Sequence, residues 1–128
     1  MNDQVVRAIE EIRETFPAKE CVVEEDGDGG AFVIVGDVDL GPLYTPAASW
    51  VGFRITFQYP HADVYPHFVR CDLRRSDGKP LGEAIQGGQT FQGRPALMLS
   101  RRSTRLNPNT DTAALKLLKV VRWLSTRP

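Results

Sequence analysis

Two cysteines and two histidines among 128 residues are too few for several classes of protein. Cys21 and Cys71 stand 50 residues apart, so neither a dense disulfide framework nor a short-spaced zinc motif can be written with them. Free thiols in a reducing cytoplasm are the expectation. No apolar run approaches the roughly 18 residues of a membrane-spanning helix. The first 20 residues carry five acids where a secretory leader would be apolar, so neither membrane insertion nor export is expected. Phosphate-cradling glycine loops and dinucleotide fingerprints are missing. Gly27, Gly29 and Gly30 lie among Asp26 and Asp28 in an acidic turn without the full ligand pattern of a calcium loop. No metal and no cofactor is expected.

What is present is an ordinary globular mixture, 41% apolar and 25% charged. Residues 1–128 are expected to form one domain that folds without covalent staples. The net charge is zero, yet residues 1–40 hold eleven acids against three bases, and residues 101–128 hold seven bases against one acid. Either the basic end docks an acidic partner, or the two ends pack together and neutralise each other. Nucleic acid is not an expected partner, because no stacking aromatics interleave the basic run.

Hydrophobic spacing gives the elements. Val5, Ile9, Ile12 and Phe16 form one face of a helix over 3–16, with Asp3 as its cap and Pro17 as its stop. Four strands are expected at 21–25, 31–35, 50–57 and 67–73, joined as an antiparallel meander. Val51, Phe53, Ile55 and Phe57 alternate on one face of the third, and Val69, Cys71 and Leu73 on one face of the fourth. Residues 82–95, with Gly82, Gly87, Gly88 and Gly93, read as a long loop. A final helix capped by Asn109 or Thr110 carries Ala114, Leu117, Leu118, Val121 and Leu124 on one face. The fold class is α+β. Trp50, Phe53, Phe57, Val69, Cys71, Leu117, Leu118 and Val121 are expected in the core.

Two local patterns carry a family resemblance. The first is Tyr59-Pro60 through Pro66 into Phe68-Val69-Arg70-Cys71, after a strand ending Ile55-Thr56-Phe57. The second is Leu97-Met98-Leu99-Ser100-Arg101-Arg102-Ser103-Thr104-Arg105-Leu106-Asn107-Pro108, running into the final helix. Together, over residues 3–125, they resemble the ubiquitin-conjugating enzymes: a Tyr-Pro loop between strands, then an active loop ending in a polar-proline pair. The Tyr-Pro loop is about two residues longer than the family's usual form. On ungapped spacing Met98 stands where the family has its catalytic cysteine. The His-Pro-Asn tripeptide is missing, as are the helices that usually follow. The chain is therefore more similar to compact bacterial members, which act beside ubiquitin-like proteins and activating enzymes in operons associated with phage defence. In some of those pathways serine replaces the cysteine.

The resemblance implies a cytoplasmic carrier that accepts the C-terminal carboxyl of a ubiquitin-like protein from an activating (adenylating) enzyme, as a serine oxyester. Ser100 and Ser103 are the candidate nucleophiles, Ser100 first because it is nearer Met98. Arg101 and Arg102 would meet the developing oxyanion. Gln92, with Gln89 as the other choice, would supply the missing amide, and His67 or His61 a base. The helix face Arg7, Glu10, Glu11 and Glu14 would bind the activating enzyme. The alternative implied is a catalytically inactive module that binds a ubiquitin-like protein or scaffolds a partner enzyme. Cys21 and Cys71 are expected to pack as inert core thiols.

Overall fold

The computed structural model describes residues 1–128 as two helices and eight strands. Helix α1 spans Asp3–Thr15 and α2 spans Ala113–Ser125. Strands β1 (Cys21–Glu25), β2 (Ala31–Asp39), β4 (Ala48–Ile55), β5 (His67–Arg70), β7 (Ile85–Phe91) and β8 (Arg94–Leu99) form one sheet in the order β1-β2-β4-β5-β8-β7. Every ladder in it is antiparallel. Strands β3 (Tyr44–Thr45) and β6 (Arg74–Arg75) pair separately. No helix is long and apolar enough to cross a membrane.

The four expected strands correspond to β1, β2, β4 and β5, so the meander is present. The sheet does not stop at four, because residues 82–95 are not a loop. Ile85 through Phe91 pairs back on Arg94–Leu99, and β8 then adds to β5. The glycines do not prevent this: Gly88 and Gly93 take positive φ, at the register shift and at the turn. Gln92 (φ 47°) occupies the turn with Gly93.

Period-two alternation sends Ala31, Val33, Val35, Val51, Phe53, Ile55, His67, Val69, Leu97 and Leu99 to one face, and all are buried there. Val5, Ala8, Ile9 and Ile12 of α1 and Ala113, Ala114, Leu117, Val120 and Leu124 of α2 cover that face. Asn2, one residue before the expected cap, accepts from the Val5 amide at 3.0 Å. Thr112 caps α2 in the same way, 3.1 Å from the Leu115 amide. The opposite sheet face carries a small aromatic cluster in which Phe91 packs on Phe32, Trp50 and Phe68.

Three expected core residues are exposed. Phe57 is 56% exposed because β4 ends at Ile55 and the chain turns before it reaches the next alternate position. Cys71 is exposed because β5 ends at Arg70, while Val69 before it and Leu73 after it are buried. Leu118 is 43% exposed, since α2 turns Leu117 and Val120 inward and leaves Leu115 and Leu118 outside. Trp50 and Val121 are half-buried, and so is Cys21. Although α1 touches α2, no acid of residues 1–40 is paired with a base of residues 101–128.

Gly52 faces the aromatic cluster, where an added Cβ would come within 2.5 Å of the Phe91 ring. Gly52→Ala is expected to lower stability by about 1–3 kcal/mol in urea unfolding. A loss below about 0.5 kcal/mol would show that Phe91 yields freely.

Candidate active site

The Tyr-Pro loop between β4 and β5 is fixed on the start of α2. The Tyr59 hydroxyl, largely buried, accepts from the Ala113 amide at 3.0 Å, so it shares with Thr112 the task of satisfying the open end of that helix. This anchorage brings Asp63, four residues further on, over the inner face of α2. Lys116 comes from that face, one turn into the helix, and is 8% exposed. Its ammonium lies 3.2 Å from both Asp63 oxygens.

Ser103, in the segment between β8 and α2, completes the group. Its hydroxyl donates to Asp63 Oδ1 at 2.8 Å and accepts from Lys116 Nζ at 2.9 Å, while its amide donates to Asp63 Oδ2 at 2.7 Å. Burial pushes the Asp63 carboxyl up, but the bonds from Ser103 and Lys116 outweigh it and leave the group below the usual carboxylate range. Burial also pulls Lys116 down, and Asp63 only partly restores it. The serine oxygen stands between the two members of the Asp63–Lys116 ion pair.

The group borders an open groove of about 590 Å³ lined by Ser103, Lys116, Arg101, Arg102, Arg105, Lys119 and Arg122, with Asp111 as its one acid. The Arg102 guanidinium stacks 4.0 Å above the Tyr65 ring, and Arg101 sits 5.8 Å from Trp123. A second recess beside Ser103 holds only about 20 Å³, room for one water.

The other expected site residues lie elsewhere. Ser100 is half-buried and its amide donates to Ala84, but no side chain bonds its hydroxyl. Met98 is inside β8, paired with Phe68 and Gln86 on the aromatic face of the sheet, so it is not in a loop at all. Gln92 is at the turn of the β7–β8 hairpin, whereas Ser100 follows Leu99 at its open end, so that amide is a hairpin's length from the serines. Gln89 bonds its own neighbour Gly87, and His61 is exposed. His67 is no accessible base: it is fully buried beside Phe53, and neither ring nitrogen has a partner. Arg7, Glu10 and Glu14 are exposed on α1, and Glu11 is half-buried.

Sequence reasoning passed over Asp63 and Lys116. Lys116 sits among the apolar residues of α2, where a lysine on the buried side is a recognisable signal. Asp63 had none, because the loop that carries it shows no periodicity.

Comparison with protein-family models, curated proteins and solved structures gives no match.

Burial pulls the pKa of His67 to about 3 from its ordinary 6.5, and the Lys116 charge adds to this. Between those values only the unfolded chain binds the proton, so stability falls as pH drops through that window. His67→Phe keeps the ring and removes two orphaned nitrogens. It is expected to raise stability by about 1 kcal/mol or more at neutral pH, and to flatten the decline below pH 6.5. Chemical unfolding across that range would show an unchanged slope if His67 were hydrogen-bonded after all.

Removing one member of the buried ion pair strands the other. Asp63→Asn is therefore expected to cost about 3–5 kcal/mol, and Asp63→Leu combined with Lys116→Met much less. Equal losses in urea unfolding would mean that the pair is not coupled.

Proposed function

We propose that this protein is a carrier of the ubiquitin-conjugating type, which accepts the C-terminal carboxyl of a ubiquitin-like protein from an activating enzyme and holds it as an ester on Ser103. One observation carries this reading. The Ser103 hydroxyl borders an open basic groove, bonded to a carboxylate and an ammonium, within the segment that resembles the family's active loop. The meander of β1, β2, β4 and β5, the Tyr-Pro loop and the helix at each end support the same reading, with the β7–β8 hairpin as an addition. The setting implied by the resemblance is a bacterial, cytoplasmic pathway of antiviral defence.

The chemistry follows from the contacts. A serine hydroxyl is a poor nucleophile unless its proton has somewhere to go and its oxygen a counter-charge. As Oγ bonds to the acyl carbon of a thioester donor, its proton passes to Asp63 Oδ1, 2.8 Å away, and the Lys116 ammonium at 2.9 Å steadies the negative charge that develops. The carbon–sulfur bond breaks, with the donor thiolate leaving with the electron pair. Arg101 and Arg102, on the groove wall, meet the carboxyl-derived oxygen. Ser103 replaces Ser100 as the first candidate because only its hydroxyl is bonded to both charges.

The same contacts favour a second reading. A hydroxyl engaged on both sides also pins the 100–112 segment to the Tyr-Pro loop. On that reading the domain is an inactive module that binds a ubiquitin-like protein or scaffolds a partner enzyme.

The two readings separate on incubation with a short peptide bearing a C-terminal thioester, followed by intact-mass and peptide mapping. The carrier should gain one peptide on Ser103, in a bond that hydroxide cleaves and thiols do not. Ser103→Ala should abolish it, and Ser103→Cys should give a thiol-sensitive adduct. No adduct at Ser103 supports the inactive module. With a cognate activating enzyme, Glu10→Lys with Glu14→Lys should slow charging, most at low salt, because the acidic face of α1 is unpaired. Unchanged charging at low salt would remove α1 as the docking face.

A further inference from the structure

Ser103 and Lys116 stand between two openings. Both line the basic groove of about 590 Å³, and both line the recess of about 20 Å³. Asp63 lines the recess and not the groove. A peptide donor fits the groove alone, whereas the recess takes one water. A buried water needs roughly two to four polar partners, and Asp63, Ser103 and Lys116 supply them on the recess wall.

The bonds of Asp63 change when Ser103 is acylated. In the free site Oδ1 accepts from the Ser103 hydroxyl at 2.8 Å, and Oδ2 accepts from the Ser103 amide at 2.7 Å. An acyl group on Oγ replaces the hydroxyl proton and removes the first of these bonds. The second does not involve Oγ, so it still holds Ser103 against the carboxylate. Asp63 Oδ1 is then one donor short beside a space of one water, and a part-buried carboxylate is costly until that donor is replaced. A water that donates to Oδ1 from the recess stands next to the ester with its oxygen free to attack.

We infer that a water in this recess, activated by Asp63, cleaves the ester on Ser103, so that the protein is also a thioester hydrolase; this rests on Ser103 being acylated as proposed. After acylation Asp63 releases the serine proton to solvent, which its position below the usual carboxylate range favours. The bond from the water oxygen to the acyl carbon then forms, and the bond from that carbon to Oγ breaks. The water proton passes to Asp63 and on to Oγ, which leaves with the electron pair beside the Lys116 ammonium. The product is the free peptide acid, and the site is restored without an oxidant or reductant.

The full chain, as Cys71→Ala to remove its exposed thiol, should be mixed with an excess of a short peptide bearing a C-terminal thioester. Released peptide acid and the mass of the chain should be followed together. Acid should form past one equivalent per chain, with only a fraction of the chain carrying peptide on Ser103 at steady state. Ser103→Ala should lower acid formation to the rate in buffer. Ester loss should be slower in D2O, since a water proton moves to Asp63 in that step. Methanol added to the buffer should give at least about tenfold less methyl ester than its reactivity in free solution predicts, because the recess has no room for it. An ester that reaches one per chain and stays, with acid at the buffer rate, overturns the inference and leaves the carrier standing. Methanol trapped in proportion to its reactivity, or ester loss equally fast in D2O, also overturns it. So does acid formed as fast by Ser103→Ala. Neither ester nor acid above the buffer rate removes the inference together with the Ser103 nucleophile on which it rests.

Discussion

An ammonium and a carboxylate taken out of water together hold two loops of this structure in place. Lys116 is on a helix and Asp63 on a loop 53 residues earlier, and the 3.2 Å contact between them fixes the Tyr-Pro loop against α2. Neither charge is tolerable there alone, because desolvation costs several kcal/mol for each. Ser103 satisfies a further bond from each of them. The segment after β8 is thereby tied to the same point, with the Ser103 hydroxyl between opposite charges. The buried Tyr59 hydroxyl gives the loop its second anchor on the helix.

The sheet explains why the site is there and not one strand earlier. Once residues 85–99 pair as a hairpin, Met98 becomes a strand residue facing the aromatic cluster, and the chain is free of the sheet only from Ser100 onward. The first segment able to run along the surface is 100–112, and the bases concentrated there have no acids of α1 to neutralise them.

Legibility from sequence followed periodicity. The strands β1, β2, β4 and β5 and both helices were readable because Val51, Phe53 and Ile55, or Ile9 and Ile12, repeat at the spacing of their element. The β7–β8 hairpin was not, because Gly87 and Gly88 imitate a loop while β8 supplies the pairing that tolerates them. Cys71 and Phe57 lie outside the core for one shared reason: alternation continues in the sequence one step past the point where the strand stops pairing. At the site, Ser103 and the arginines were visible in the chain, but the contacts that distinguish Ser103 from Ser100 come from Asp63 and Lys116. Those contacts depend on how a loop folds back on a helix, which no local pattern encodes.

The chemistry proposed for Ser103 depends on activation of its hydroxyl by two charged neighbours. Site-resolved labelling of the intact chain with a small fluorophosphonate measures that activation without any partner protein. The account predicts labelling at Ser103 and not at Ser100, and its loss in Lys116→Met protein that still unfolds cooperatively. Labelling that favours Ser100, or that survives the Lys116 substitution unchanged, would contradict it.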